Sequence, residues 1–305
     1  MNYISLQFVN FFIIIFILYY ISPLKLRSFL LLCGSLYFYA CFDVRYVLFL
    51  LFVALSTFIV AKVKQKKKLY LWLGIGINLL LWFLIKFHKF IFIYLDQLLG
   101  TLRFPQIGDK FSILVPVGIS YYILQSIAYV LDVYHNKIEP ETKFWKYLLF
   151  LSYFPAIVQG PISRYDKLMP ELTVPKKFDY TIFANHLLLV LLGLVKKMVI
   201  ADRIAIYANY CFNNYSSLNG LTLYLGAIAY SIQLYTDFSG CVDICRGVSG
   251  ILGIELTQNF NHPYMATSIK DFWSRWHISL SSWLKDYIYI PLDGNRNGTM
   301  RKIST

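Results

Sequence analysis

Long apolar runs separated by short charged loops form the main hydrophobic and polar pattern of this chain. The first three runs cover residues 3–21, 28–41 and 44–61, with a turn predicted at Phe42 and Asp43 between the second and third. Four or more runs approach the ~20 residues that a helix needs to cross the hydrocarbon layer of a bilayer. The pattern therefore predicts an all-α protein that crosses a membrane several times.

The middle of the chain continues this pattern with polar interruptions. Residues 69–99 contain His88 between Lys86 and Lys89, so they form either one span with a snorkelling end or a span followed by an interfacial helix. We interpret His88 as a wet interfacial residue. Further apolar runs cover residues 111–134 (broken by Pro116 and Gly118), 144–158, 183–200 and 221–234. The last run continues through a polar stretch at 235–240 into a Gly-spaced apolar segment that ends at Ile254.

The basic residues follow the first and third apolar runs. Lys25 and Arg27 come directly after the first, and a lysine-rich stretch at residues 62–68 comes after the third. Because cytoplasmic loops are enriched in Lys and Arg, both clusters place residue 1 outside the cytoplasm. A cleavable signal would carry positive charge before its apolar core and small residues after it, and neither is found, so residues 3–21 are predicted to be a retained span.

Composition supports a membrane protein: 58% of the residues are hydrophobic and only 15% are charged, whereas soluble domains carry about 25% charged residues. The net charge of +13 lies in the short loops, which predicts orientation in a membrane rather than nucleic-acid binding. The five cysteines are interpreted as small buried side chains, not as a disulfide framework. No metal site is predicted, since Cys241 and Cys245 have no second Cys pair or nearby His.

Residues 259–291 contain an amphipathic pattern with a helical period. His277 lies at the border between its two faces, and Ile278 is the one misplaced apolar residue. A Trp-rich helix with basic residues on its polar face is typical of a membrane interface, where His277 would either meet a substrate or serve as a hydrogen-bonded anchor. The apolar arc consists of Phe272, Trp273, Trp276, Leu280, Trp283, Leu284 and Tyr287.

Asp237 and Asp243 lie within an otherwise apolar stretch. Charged side chains in such surroundings are costly and mark a site or a cavity. The alternative is a structural ion pair with Arg246 or Lys197 that joins two helices, and the sequence leaves both interpretations open.

Eight motifs occur in order from about residue 110 to the end of the chain. They resemble the membrane-bound O-acyltransferase family, in particular its bacterial alginate O-acetyltransferase branch. The motifs are PVGISYY at residues 116–122, DVY at 132–134, QGPISR at 159–164, GLVKK at 193–197, YTDFSG at 235–240, NFNHPY at 259–264, FWSRWHISLS at 272–281 and GNR at 294–296.

This resemblance implies a single membrane domain over residues 1–305, with N-terminal spans at 1–110 and an acyltransferase core at 111–305. It also implies a bacterial cell-membrane enzyme that takes an acetyl group from cytoplasmic acetyl-CoA, with no bound cofactor or metal. The group would be delivered towards an extracytoplasmic polysaccharide hydroxyl, often through a second, extracytoplasmic acetyltransferase.

Site residues follow from the same resemblance. In this family a funnel through the membrane narrows at two histidines, and His277 matches the first of them. We expect His277 to take the proton of the acceptor hydroxyl, as an imidazole with an ordinary pKa near ~6.5 can. Asn261, His262, Arg275 and Trp276 would shape the mouth of the funnel, and Asp237 would support the site.

The chain departs from the family pattern in two places. Cys241 occupies a position where the family tends to have Tyr, and the second histidine of the family lies on a helix beyond the GNR motif, after which this sequence stops at Thr305. We therefore interpret the sequence as either a truncated gene product or a partial record of a longer one, and we expect a chain that ends at this point to be catalytically incomplete. Two other functions remain open: a non-catalytic membrane scaffold that docks an outer partner, and a transporter, although the internal symmetry typical of many carriers is not evident.

Overall fold

The computed structural model describes residues 1–63, 68–101, 114–174 and 176–292, with the backbone alone at residue 95 and residues 97–101. Every regular element in these ranges is a helix, which confirms the predicted all-α class. Most of the lysine-rich stretch, the loop at 102–113 and the GNR motif lie outside the described residues.

The helices are given in chain order. The first six are α1 (Leu6–Ile21), α2 (Arg27–Ala40), α3 (Val44–Lys62), α4 (Lys68–Thr101), α5 (Ile119–Tyr134) and α6 (Phe144–Ser152). The second six are α7 (Tyr165–Thr173), α8 (Tyr180–Leu194), α9 (Asp202–Asn213), α10 (Gly220–Ile251), α11 (Ile269–Arg275) and α12 (Ile278–Leu284). Two π-helical segments, Val195–Ala201 and Lys285–Tyr289, continue α8 and α12.

Helix starts follow local sequence signals. The Asp43 carboxylate accepts the Arg45 N–H at 2.8 Å and caps α3, so the turn predicted at Phe42 and Asp43 is confirmed. Gly118 precedes α5 with φ at +77°, and a Cβ there would lie 2.0 Å from the Ile157 carbonyl oxygen. Only glycine fits this position, and the predicted break before α5 is confirmed.

Two described helical segments, α3 and residues Lys68–Tyr94 of α4, are long and apolar enough to cross a bilayer. This is fewer than the four or more spans expected from the apolar runs. Helices α1, α5, α6 and α8, which match four of the other runs, have 16, 16, 9 and 15 residues and are shorter than the ~20 residues that a membrane span needs.

Helix α4 is continuous, so of the two alternatives for residues 69–99 the structure supports a single helix. The prediction that His88 is a wet interfacial residue is wrong. Its side chain is 5% exposed, and its Nδ1 lies 2.8 Å from the Ile85 carbonyl oxygen. The ring is buried because it folds back on its own helix and finds a partner one turn earlier.

The backbones of helices α8 and α10 are in close contact where the helices cross at Gly193 and Gly240. A Cβ on Gly193 would lie 2.7 Å from the Gly240 carbonyl oxygen, and one on Gly240 would lie 2.8 Å from the Gly193 carbonyl oxygen. Next to this crossing, Lys196 pairs with Asp243 at 2.6 Å and Lys197 pairs with Asp237 at 2.7 Å. The ion-pair interpretation of the two carboxylates is therefore observed in the structure.

Hydrogen bonds also join the N-terminal helices to the later part of the chain. The Tyr3 hydroxyl donates to the Phe154 carbonyl at 2.8 Å, and the Tyr20 hydroxyl donates to the Ile251 carbonyl at 3.0 Å. Tyr3 also stacks on Phe38 with ring centroids 5.4 Å apart. The hydrophobic core thus includes residues from both ends of the described chain.

Candidate active site

The amphipathic stretch is not one continuous helix, so the helical-wheel prediction is wrong at its centre. Helix α11 ends at Arg275 and α12 begins at Ile278. Between them His277 has φ 45° and ψ 54°, the left-handed conformation, which few non-glycine residues adopt. The two helices have seven residues each, which is too short to span a bilayer.

Trp283 also departs from the interfacial interpretation. Its side chain is 6% exposed, and its Nε1–H donates to the Leu124 carbonyl at 2.9 Å. Trp273, by contrast, is 54% exposed. Because the helix is broken at His277, the indole rings of the predicted arc do not face one surface, and Trp283 belongs to the protein core.

A short segment around Asn259 runs beside the break. The Asn261 N–H donates to the Arg275 carbonyl at 2.9 Å, and the Ile278 N–H donates to the Asn259 carbonyl at 2.9 Å. The Ser279 N–H donates to Oδ1 of Asn259 at 3.1 Å. These three bonds join two predicted motifs, NFNHPY and FWSRWHISLS, around the imidazole.

The imidazole of His277 is partly buried against α10. Its ring meets the Phe238 ring edge-on at a centroid distance of 4.8 Å. The Nε2 atom is buried and has no hydrogen-bond partner among the described residues. Burial lowers the pKa of His277 from 6.5 to about 4. The ring is therefore neutral at neutral pH, with a ring nitrogen available to accept or donate a proton.

A polar cavity of about 370 Å³ lies on one side of this region. We call it the Arg164 cavity. Arg164 donates to the Asp286 carboxylate at 2.9 Å, and its guanidinium carbon lies 4.2 Å from the centroid of the Tyr287 ring. The Tyr287 hydroxyl donates to Asp132 at 2.6 Å. The lining of the Arg164 cavity includes Asp132, Lys137, Ile162, Arg164, Ile278, Ser279, Asp286 and Tyr287.

A second cavity of about 330 Å³ contains the Lys197–Asp237 ion pair. We call it the Asp237 cavity. The Lys197 ammonium group also pairs with the Asp202 carboxylate at 2.7 Å, so it contacts two carboxylates. The lining consists of Asn2, Tyr3, Ile4, Phe42, Val117, Val158, Gln159, Lys197, Asp237 and Cys241.

The two cavities lie at opposite ends of α5. Val117, just before α5, lines the Asp237 cavity, whereas Asp132 and Lys137, at and beyond its last turn, line the Arg164 cavity. The 16 residues of α5 span about 24 Å at 1.5 Å per residue. The QGPISR motif runs from one cavity to the other, since Gln159 lines the Asp237 cavity and Arg164 lines the Arg164 cavity.

His277 lines neither cavity, but its neighbours connect it to residues of both linings. On one side its neighbour Ile278 lines the Arg164 cavity. On the other side the imidazole contacts Phe238, the residue after Asp237 of the Asp237 cavity. The Ile162 N–H also donates to Oγ of Ser279 at 3.0 Å, which fixes the QGPISR motif against the start of α12.

The other predicted site residues take varied positions. Arg275 pairs with Asp271 at 2.8 Å, and the Trp276 ring packs on Phe272 at a centroid distance of 5.6 Å. Asn261 and His262 are exposed. These four residues adjoin His277 along the chain, but none of them lines either of the two cavities.

Sequence reasoning missed the roles of several residues around His277 and the Arg164 cavity. Asn259, Arg164, Ser279 and Phe238 lie inside the quoted motifs, and Tyr287 lies in the apolar arc, but the patterns did not separate them from their neighbours. The contacts that distinguish Phe238 and Tyr287 join segments that are far apart in the sequence.

Comparison with known proteins agrees with this arrangement of motifs. The model of the membrane-bound O-acyltransferase family matches residues 141–305. The probable alginate O-acetylase of Azotobacter vinelandii is 34% identical over 291 residues, which cover 93% of this chain and 58% of that protein. The peptidoglycan O-acetyltransferase of Helicobacter pylori is 34% identical over 304 residues, covering 90% of this chain and 57% of that protein.

A more distant relative is the teichoic acid D-alanyltransferase of Bacillus subtilis, 32% identical over 178 residues, which cover 57% of this chain and 45% of that protein. The chain spans little more than half the length of the first two relatives. The family model, however, matches more than half of this chain and includes every motif from QGPISR onward. On these matches and on its helical membrane architecture, the chain belongs to the membrane-bound O-acyltransferase family.

Proposed function

We propose that this chain carries the histidine centre of an enzyme that transfers an acetyl group to a polysaccharide hydroxyl outside the cytoplasm, with acetyl-CoA as donor. The observation that carries this proposal is the buried Nε2 of His277, which has no hydrogen-bond partner among the described residues. The next residue, Ile278, lines the Arg164 cavity, and the imidazole packs on Phe238, which follows Asp237 of the Asp237 cavity. The names of two relatives, an alginate O-acetylase and a peptidoglycan O-acetyltransferase, support a glycan acceptor.

The two cavities suit a reaction whose substrates arrive from opposite faces of the membrane. Lys62, at the end of α3, donates to the Thr142 carbonyl at 3.2 Å, and the neighbouring Glu141 accepts from Tyr165, which follows Arg164. The Arg164 cavity therefore lies at the same end of the bundle as the last turn of α3, where the lysine-rich sequence begins. By the enrichment of basic residues in cytoplasmic loops, that end is cytoplasmic. The donor then enters at Arg164, and the acceptor enters at Asp237 from the outer face.

His277 acts as the general base in this proposal. Its neutral imidazole takes the proton of the acceptor hydroxyl while the hydroxyl oxygen attacks the thioester carbonyl carbon. The carbon–sulfur bond breaks, the acetyl group remains on the acceptor oxygen, and the proton passes to the departing thiolate. A positioned base of this kind contributes roughly 10²–10⁴-fold to the rate.

The supporting residues have separate tasks. Asp237, held by Lys197 at 2.7 Å, binds acceptor hydroxyls on the outer side. Asn261, His262, Arg275 and Trp276 shape the entrance beside His277, since the Asn261–Arg275 backbone hydrogen bond closes the loop that carries it.

The test uses the full-length gene product in membrane vesicles with radiolabelled acetyl-CoA and an exopolysaccharide acceptor. We expect His277→Ala to lower acetyl transfer by at least 100-fold, with an unchanged amount of folded protein in detergent. His135→Ala is the matched control, because that imidazole is exposed and bonded to its own helix at the Leu131 carbonyl. Wild-type transfer by His277→Ala would remove the histidine from the mechanism.

The same experiment separates the alternative roles. A scaffold gives no acetyl-CoA consumption in either variant but still retains an extracytoplasmic acetyltransferase in a pull-down. A transporter moves a solute across the vesicle membrane without thioester hydrolysis.

A further inference from the structure

The residue before helix α12 does not cap the helix with its side chain. The first N–H groups of a helix have no partner within the helix, and a side chain of Ser, Thr, Asp or Asn at the preceding position normally accepts one of them. Here that position is His277, whose side chain makes no such bond. The N–H groups of Ile278 and Ser279 therefore need acceptors from elsewhere in the chain.

Asn259 supplies both acceptors. Its backbone carbonyl accepts the Ile278 N–H at 2.9 Å, and its side-chain Oδ1 accepts the Ser279 N–H at 3.1 Å. Asn259 precedes Ser279 by 20 residues, so α12 is capped by a distant segment. This arrangement leaves the imidazole of His277 without a capping role.

The backbone of His277 needs this external support. A left-handed conformation is uncommon for a residue other than glycine and persists when surrounding contacts determine it. His277 has φ 45°, and the two bonds to Asn259 fix the residues that follow directly. The direction of the imidazole towards Phe238 depends on that backbone conformation.

The oxygen of the Asn259 side chain makes the hydrogen bond that the structure describes. The residue is 0% exposed, and its Nδ2 has no hydrogen-bond partner among the described residues. A backbone N–H can only meet the carbonyl oxygen of the amide, so the Ser279 bond also settles which way the amide points. Replacing the nitrogen with oxygen would remove no hydrogen bond that the structure describes.

We propose that Asn259 is a positioning residue for His277: it caps α12 in place of the histidine and holds the imidazole against Phe238. This inference rests on the proposed role of His277 as the base. Asn259 itself contacts backbone groups and takes no part in proton transfer.

The experiment compares Asn259→Ala with Asn259→Asp in the full-length protein. Asp keeps an acceptor oxygen in the same place, and its negative charge is favoured at the start of a helix. We expect Asn259→Ala to lower kcat by about 100-fold, the loss typical of a small misplacement of a catalytic group. KM should change less than about threefold, and Asn259→Asp should restore kcat to within about tenfold of the wild type.

Asn78→Ala is the matched control, since Asn78 is equally buried and its side chain bonds Gly74 and Ser56 within the N-terminal helices. It should lower the melting temperature and leave kcat of the folded fraction unchanged. The proposal is overturned if Asn259→Ala keeps wild-type kcat while His277→Ala is inactive, or if Asp fails to restore what Ala loses. If His277→Ala is itself fully active, the proposed function fails instead.

Discussion

The edge of the Phe238 ring meets the imidazole of His277 at a centroid distance of 4.8 Å and an interplanar angle of 68°. This contact joins α10 to the break between α11 and α12, and it covers part of the imidazole with an apolar surface. Two measurable properties follow from it, namely the pKa of His277 and its change when the phenyl ring is removed.

The pH dependence of the wild-type reaction should reflect the lowered pKa of His277, about 4. A base must be unprotonated to act, so kcat/KM should stay level down to about pH 5 and fall with a midpoint near pH 4. Between pH 6.5 and pH 4 the imidazole of His277 is protonated in the unfolded chain but not in the folded protein. The free energy of unfolding therefore also decreases as the pH falls through this range. Initial rates between pH 4 and 8 check this, and a midpoint at pH 6.5 would contradict it.

Phe238→Ala should move that midpoint upward. Removing the ring lets water reach the imidazole, which relieves the burial that disfavours the charged form, so the pKa of His277 should rise towards 6.5. Phe238→Leu, which keeps an apolar cover, is the control and should leave the midpoint near its wild-type value. The comparison needs only pH–rate profiles of the three proteins, and identical profiles would show that Phe238 does not govern the imidazole.

A methyl group added at the Gly193–Gly240 crossing should destabilise the protein. Gly240→Ala places a Cβ 2.8 Å from the Gly193 carbonyl oxygen, and overpacking of this kind costs roughly 1–3 kcal/mol of unfolding free energy. Gly76→Ala is the matched control, because nothing lies within 4 Å of its Cβ position; as a helix-interior change from Gly to Ala it should be neutral or stabilising by up to about 1 kcal/mol. Thermal unfolding in detergent measures both, and equal melting temperatures would refute the close crossing.

Trp283→Phe should destabilise the protein, whereas Trp273→Phe should not. The first change removes the 2.9 Å hydrogen bond to the Leu124 carbonyl and shrinks a ring that is only 6% exposed, and loss of the hydrogen bond alone costs about 0.5–1.5 kcal/mol. Trp273 is 54% exposed, and its change should alter stability by less than about 0.5 kcal/mol. Denaturation of the two variants side by side provides the measurement, and the reverse order would restore the interfacial interpretation of Trp283.

Local signals in the sequence were sufficient for most of the helices. Asp43 marks the start of α3 and Gly118 the start of α5, because a capping carboxylate and a positive φ act within two or three residues. The prediction for His88 was wrong because its two lysine neighbours suggested an aqueous position, whereas the ring is bonded to its own helix and buried.

The candidate site was predicted in part. The motifs identified His277, and they also placed Asp237 among the important residues. They did not show that the predicted helix breaks at His277, since a helical period describes spacing along the chain and contains no information on a segment that supplies hydrogen bonds from outside.

The sequence by itself determined the class of this protein: a helical membrane chain, its family motifs in order, and the single histidine at its proposed centre. Only the tertiary structure decided how that histidine is held. Asn259 accepts hydrogen bonds from the two residues after His277, and Phe238 packs against the imidazole. Both are contacts between distant segments, and such contacts form only when the chain has folded and excluded water from between them.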